Sequence, residues 1–430
     1  MWAQGAFAQA APSTSQVRPP DIPAAPSVSH ILLPQVPAGA QVPEQAKKLS
    51  FVLVDFDIDG EFPELAAERR TLAAPLLGKR ITVADLFGFA NKLQQLYVRA
   101  DYPLVRVVIV PQKLGTKARV KLRVVDGYVE RIDAKAIAPQ VRGRVTAVLA
   151  PLYNQHHLTQ AILERKLLIA GEAAGLDLNA TFAAGKDVGG TVLVLTGRFR
   201  PLSASLYTDN SMPSVFGTIQ VVASGAINSP LGLGDQLSFS VAGLPDGTFF
   251  DQYPTRRFVS GTYVAPIGID GWSLELYGTG GWTTPRVDPS ARTQGLFQQA
   301  HARVSYELLK RRDYELTLHG QVEATDEQNY ELVTNPVFPL NIDRLRPMRL
   351  GFDGVWRKRD TGTTISGGGN YSHGFDVLGA RSAADATPFI PLSRQGANDV
   401  FDKIDGHLQI DQALPQDFFA SFSAAGQYSF

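Results

Sequence analysis

The sequence predicts two small α+β domains followed by an all-β transmembrane barrel. Three observations carry this. Two stretches, 49–126 and 127–200, repeat one order of elements, β-α-α-β-β. From Pro201 helical periodicity stops, and strands of about ten residues take over, the length of a tilted membrane-crossing strand. Those strands set an apolar face against a polar, charged one.

Composition narrows the function classes. The chain has 430 residues, with 41 Lys+Arg against 41 Asp+Glu, so no global charge points to nucleic acid. It has no cysteine, which excludes disulfides, thiolate catalysis and Cys-ligated zinc. A cysteine-free chain suits passage through an oxidising periplasm. No apolar run approaches the ~18 residues of a membrane helix, so crossing a membrane requires a closed barrel.

Residues 1–10 (MWAQGAFAQA) end in Ala8-Gln9-Ala10, a small-x-small pattern that reads as the remnant of a signal peptide; a plain Ala/Gln tail is the alternative. Residues 11–48 are rich in Pro and Ala and read as an extended linker. In the first domain, 51–59 alternates, with Val52, Val54, Phe56 and Ile58 on one face. A helix is expected over 62–77, ending at Gly78, and a second over 83–98, capped by Thr82. Strands 105–110 and 119–125 follow. In the second domain, strand 128–134, helices 141–149 and 158–169, and strands 176–182 and 191–199 repeat the order.

Within 201–430, strands are expected at 202–210, 217–225, 235–244, 256–265, 271–280, 297–308, 313–324, 345–357, 361–371, 400–410 and 416–427. Soluble sandwiches alternate too, but their strands are shorter. Connections also alternate: short turns at 209–216, 266–270, 310–312, 359–362 and 411–415 against long loops at 244–255, 281–296, 325–344 and 372–399. Short turns on one side and long loops on the other are the outer-membrane pattern. The polar faces contribute Glu275, Arg303, Glu307, Glu315 and Glu323 as candidate pore-lining residues.

The motifs carry a resemblance. The first domain lays out Gly60, Tyr97, Tyr102, Pro111-Gln112 with Leu114, and Asp126-Gly127; the barrel opens with NSPLGLGD, supplying Asn228, Pro230, Gly232, Gly234 and Asp235. This order resembles the two-partner secretion transporters, the hemolysin activator/secretion family of the barrel-assembly superfamily. Ala100-Asp101 departs from the usual Gly before Tyr102. The resemblance implies periplasmic polypeptide-transport-associated (POTRA) domains at 49–126 and 127–200, and a Gram-negative outer-membrane barrel at 201–430. It implies about sixteen strands, against the eleven ranges above, so the chain is expected to be truncated by about five. The plugging N-terminal helix of that family has no visible pattern in 12–44.

The resemblance further implies a pore that exports a large partner exoprotein, with outer-membrane lipid and the barrel-assembly machinery as its other partners, no nucleic acid and no cofactor. A barrel-assembly factor and a passive porin or receptor are the alternatives. Candidate substrate contacts are a POTRA strand edge and the basic face Arg119, Lys121, Arg123. Features that suggest chemistry have plainer readings. Asp55, Asp57 and Asp59 lack the closing Glu of a calcium loop and read as a solvated strand face. His156-His157 read as a surface pair pointing apart, and His301 and His319 as hydrogen-bonding lumen residues. No catalytic or metal site emerges from the pass.

Overall fold

The computed structural model describes residues 12–19, 29–31, 46 and 49–430. The proposed signal remnant and most of the linker lie outside the described residues. The chain divides into two units: Ser27–Phe199, and Arg200–Phe430 with the N-terminal stretch up to Pro26.

The first unit begins with Ser29–Ile31 (β1). Its first domain then runs Ser50–Asp59 (β2), Ala66–Ala73 (α1), Arg80–Thr82 (β3), Val83–Arg99 (α2), Arg106–Ile109 (β4) and Lys117–Val125 (β5). The sheet order is β3-β2-β5-β4, with β2 parallel to β5. One face of this sheet packs on α2: Phe56 stacks on Phe89 at 4.0 Å, and Leu53, Leu93, Tyr97 and Val120 are fully buried. Two details depart from simple alternation. A bulge between Leu53 and Asp55 shifts the buried face, so Phe51 and Leu53 point inward and Val54 points out. The first helix stops at Ala73, because Pro75 cannot donate to the turn before it.

The second domain repeats the plan with Tyr128–Ala136 (β6), Pro139–Leu149 (α3), Gln160–Gly171 (α4), Leu176–Ala184 (β7) and Gly190–Phe199 (β8). Strand β6 runs parallel to β8 as β2 does to β5. The sheet order is β1-β7-β8-β6, so β1 adds to the β7 edge, in parallel, with Ser29 opposite Leu178.

The second unit is a meander of long strands. It comprises Leu202–Asp209 (β9), Gln220–Asn228 (β10), Gln236–Gly243 (β11), Arg256–Ile267 (β12), Trp272–Thr283 (β13), Thr293–Lys310 (β14), Tyr314–Glu331 (β15), Phe338–Leu345 (β16), Pro347–Lys358 (β17), Thr363–Gly374 (β18), Asp402–Ala413 (β19) and Phe419–Ser429 (β20). Pairing is antiparallel throughout, from β9 at one end to β20 at the other, and the sheet is not closed on itself. Strand β16 lies within a stretch expected to be loop; it pairs with the far half of β15, and β17 pairs with the near half.

The meander fixes which connections share an end. Residues 210–219, 244–255, 284–292, 332–346 and 375–401 lie at one end, and 229–235, 268–271, 311–313, 359–362 and 414–418 at the other. The turn at 209–216 therefore belongs with the long loops, and NSPLGLGD, whose Pro and Gly residues mark it as a turn in the sequence, is a short connection at the opposite end.

Exposure on the two faces is the reverse of a soluble sheet. Leu276, Val304, Leu318, Val322, Leu350 and Phe352 are exposed, whereas His319, Gln321 and Thr279 on the opposite face are buried. Apolar side chains turned outward from a sheet with a polar inner face are the arrangement of a membrane barrel.

Helix α2 offers a direct test of local folding. Thr82 Oγ1 accepts from the Asp85 backbone N–H at 3.1 Å, and Asp85 Oδ2 accepts from the Thr82 N–H at 2.8 Å, a reciprocal cap. These bonds hold the Asp85 carboxyl below the usual carboxylate range. Its folded value is depressed, so the contribution is present above the ordinary Asp range and lost as pH falls through the depressed value. Thr82→Ala should lower the stability of the 49–199 region by about 1 kcal/mol at neutral pH. In urea titrations the difference from the parent should shrink toward pH 2–3; a constant difference would show that the cap is not its source.

Candidate functional site: the inner barrel face and the POTRA motif residues

The inner face is a lattice of opposite charges. Alternation puts Glu275, Arg303, Gln321 and Arg349 on one face, and the register sets them side by side across β13, β14, β15 and β17. Glu275 meets His301 Nε2 at 2.9 Å, and Arg303 Nε donates to Gln321 Oε1 at 2.9 Å. Glu323 pairs with Arg349. Glu307 accepts from Lys310 at 2.7 Å, and Glu315 accepts from Arg357 at 2.7 Å. His319 Nε2 lies 2.8 Å from Asn370 Oδ1. All five proposed lining residues thus share the polar face, each with a partner. Among the described residues no group of His, Asp and Glu could hold a metal ion.

The N-terminal stretch lies on this same face. Ser15–Val17 forms a single 3-10 turn rather than a helix. Thr14 Oγ1 meets Thr283 Oγ1 at 2.6 Å; Ser15 donates to Glu327 through its N–H at 3.0 Å and its hydroxyl at 2.7 Å. Arg18 donates to Gln299 at 2.5 Å. Val17 packs among Phe216, Val222, Ala242, Phe258 and Phe297. Its carbonyl accepts two bonds from Arg256, at 3.0 and 2.8 Å. Arg256 is 0% exposed, and Phe258 lies 5.0 Å beneath its guanidinium. Helical periodicity is absent from 12–19, and a Pro-flanked turn leaves no such pattern in the sequence. The buried Arg256 in a strand was the available signal.

The turn 229–235 is a self-contained knot. Asp235 is fully buried; Oδ1 accepts from the N–H groups of Leu231 (3.3 Å) and Leu233 (3.2 Å), and Oδ2 from the Tyr263 hydroxyl (3.0 Å). Asn228 accepts from Gln236 at 2.7 Å and donates to the Arg200 carbonyl at 2.8 Å. Gly232 and Gly234 both have positive φ, and Pro230 opens the turn.

The POTRA motif residues turn out to be architectural. Gly60 has φ +77°, and a Cβ there would sit 2.4 Å from the Val124 carbonyl oxygen. At Gly127 a Cβ would sit 2.1 Å from the Leu104 carbonyl oxygen. The Tyr97 hydroxyl accepts from the Phe62 N–H at 3.2 Å, and burial pushes its phenol up. Tyr102 donates to Glu64 at 3.0 Å, a bond that raises the Tyr102 phenol. Gln112, after Pro111 has ended β4, mimics a strand: its amide accepts from the Lys121 N–H and donates to the Lys121 carbonyl, both at 2.9 Å.

The basic face lies opposite a row of carboxylates. Strand β5 is an inner strand, so Arg119, Lys121 and Arg123 offer no edge. They stand in register with Asp55, Asp57 and Asp59 of β2; Arg123 meets Asp59 at 3.0 Å and Arg119 meets Asp55 at 4.0 Å. The face is therefore a ladder of opposite charges, not a cationic patch.

Two sheet-and-helix domains followed by a sheet with a polar inner face and an apolar outer one define the class of POTRA-bearing β-barrel proteins. Residues 53–127 match the POTRA domain of ShlB type. Residues 189–430 match the haemolysin secretion/activation protein ShlB/FhaC/HecB family, and the chain belongs to that family. Among relatives, a heme/hemopexin transporter protein, HuxB, of Haemophilus influenzae is 21% identical over 304 residues, which cover 67% of this chain and 50% of that protein. The hemolysin transporter protein HpmB of Proteus mirabilis is 25% identical over 48% of this chain and 35% of its own length. The chain thus spans half or less of these relatives. The structure of CdiB from Escherichia coli superposes with a TM-score of 0.65 at 19% identity, covering 92% of this chain and 70% of CdiB.

Arg256→Ala removes both bonds to Val17, each worth about 2 kcal/mol for a charged donor. A spin label at Gln16→Cys should be immobile in the parent and should gain a dominant mobile component in the Arg256→Ala variant. An unchanged spectrum would show that the remaining contacts hold the stretch unaided.

Proposed function

We propose that this chain is part of an outer-membrane pore that exports a large partner exoprotein of the hemolysin or adhesin type. The observation that carries the reading is the inner face: Glu275, Arg303, Glu307, Glu315 and Glu323 form a continuous polar wall behind an apolar exterior. Such a wall suits a hydrated conduit. Membership of the haemolysin secretion family supports it, as do the names of the transporters it resembles.

In this reading the domains at 49–126 and 127–200 stand in the periplasm and receive the client as an extended segment. Edge addition supplies main-chain hydrogen bonds with little demand on sequence. Strand β7 already accepts an extended segment, the chain's own Ser29–Ile31, so this edge is the proposed contact in place of the β5 face. Lipid contacts the outer face, and the cell's barrel-assembly machinery inserts the sheet. No nucleotide or redox chemistry is required; folding of the client outside draws it through.

The test begins with the culture-medium protein that disappears when this chain is deleted from its producing cell. Removing residues 49–199 should abolish export of that protein while the remaining barrel still fractionates with the outer membrane. Continued export would overturn the reading.

A further inference from the structure

The two domains of the first unit meet without a linker, at Asp126-Gly127, and an unusual set of residues gathers at the junction. Three non-glycine residues with left-handed backbone lie there: Asp101 (φ 74°), Asn154 (φ 53°) and His157 (φ 52°). Such conformations persist where surrounding contacts hold them, and they cluster where geometry matters.

The contacts are specific. Asp101, the residue that departs from the family's glycine, reaches across to the second domain. Its carbonyl accepts from the Gln160 N–H at 2.8 Å and its Oδ2 from the Ala161 N–H at 3.3 Å. It therefore shares with Thr159 the capping of α4. Asp126 works in the other direction: both its oxygens accept from the His157 N–H at 3.1 Å, and Oδ2 lies 2.9 Å from His157 Nδ1 and 3.3 Å from His156 Nδ1. Adjacent side chains in extended backbone would point apart; the left-handed turn at His157 brings both rings to one carboxylate. The His157 ring then stacks on Phe62 of the first domain, 4.2 Å away and 17° from parallel, and meets Tyr102 edge-on. A Cβ at Gly189 would come within 2.8 Å of Val125 Cγ1 and 3.2 Å of the Asp126 carbonyl oxygen, so the Gly189 backbone lies close against the junction.

We propose that Asp101, Asp126 and His157, with Phe62 as anvil, form a clamp that makes the two domains one rigid arm, and that Asp101 and His157 are positioning residues for client delivery. The inference rests on the secretion reading. A client that adds to a sheet edge pays to become ordered; an arm already rigid adds no ordering cost of its own, and it holds the edges of both sheets in fixed relation. Strand β4 in the first domain and β7 in the second are counterparts, each antiparallel to its inner neighbour; β4 ends its sheet, and the outer side of β7 is the one on which Ser29–Ile31 lies. A fixed elbow lets an extended segment pass from one to the other.

The chain has no cysteine, so labels can be placed at will. With spin labels at Arg70→Cys on α1 and Ala147→Cys on α3, the parent in membranes should give a single narrow distance distribution. His157→Ala and Asp101→Ala, combined, should at least double its width and cut export of the client-dependent medium protein several-fold. His157→Phe, which keeps the stack on Phe62, should restore most of both. Circular dichroism melting of the 49–199 region identifies any variant that merely unfolds, and the single Asp101→Asn variant, which retains an acceptor, then replaces it. An unchanged width in the double variant overturns the clamp. A broadened distribution with undiminished export overturns the positioning role. Failure of the secretion reading itself is separate: the parent would then export nothing, while the distance widths would still report on the elbow.

Discussion

Hydrocarbon offers no hydrogen bonds, so a chain that crosses it must pair its backbone internally and turn apolar side chains outward. Strands β10–β15 and β17–β19 are paired on both sides, as that constraint demands, and much else follows from it. With period-two alternation, an apolar exterior forces the polar residues inward. Once inside, they are close enough to neutralise one another, and the register across β13, β14, β15 and β17 places acid beside base. The same inward face then provides a bed of polar acceptors and donors, on which the Ser13–Arg18 stretch lies through Thr283, Gln299 and Glu327. The Arg256 guanidinium completes that bed by reaching a carbonyl, which a shorter or neutral side chain would not.

The first unit answers a different constraint, the burial of one sheet face under two helices. Its motif residues serve that end. Gly60 and Gly127 permit backbone approaches that a methyl group would block, Tyr97 fastens the start of the first helix, and Gln112 replaces a strand where proline has ended one. Motifs of this sort mark a family through its architecture, because the geometry tolerates few alternatives. Backbone edges, the client contact proposed above, carry no such sequence signature.

Much of this was legible in the sequence because its signals are local. Alternation in Trp272–Tyr277 or His301–Leu308 reports a strand directly, and the polar partners of those residues follow from the face they share. What escaped depends on distant or exceptional geometry. Strand β16 consists of eight residues without clean alternation, paired to an extension of β15. The bulge after Leu53 reverses the faces predicted for the first half of β2, while Phe56 and Ile58 face the core as predicted. The ladder Asp55–Arg119, Asp57–Lys121 and Asp59–Arg123 joins residues far apart in sequence, so each row looked like an unpaired charged face. The histidine pair was read as diverging because regular backbone would make it so; the positive φ at His157 is a tertiary effect. Asp101 stood out as an exception to a motif, and the structure supplies its reason, a helix cap in the neighbouring domain.

The charge lattice has a consequence for permeation. Four carboxylates, Glu275, Glu307, Glu315 and Glu323, stand among four cations, Arg303, Lys310, Arg349 and Arg357. Fields from paired opposite charges cancel within a few ångströms. In the conduit proposed above, such pairing would leave a passing heteropolymer few isolated charges to bind.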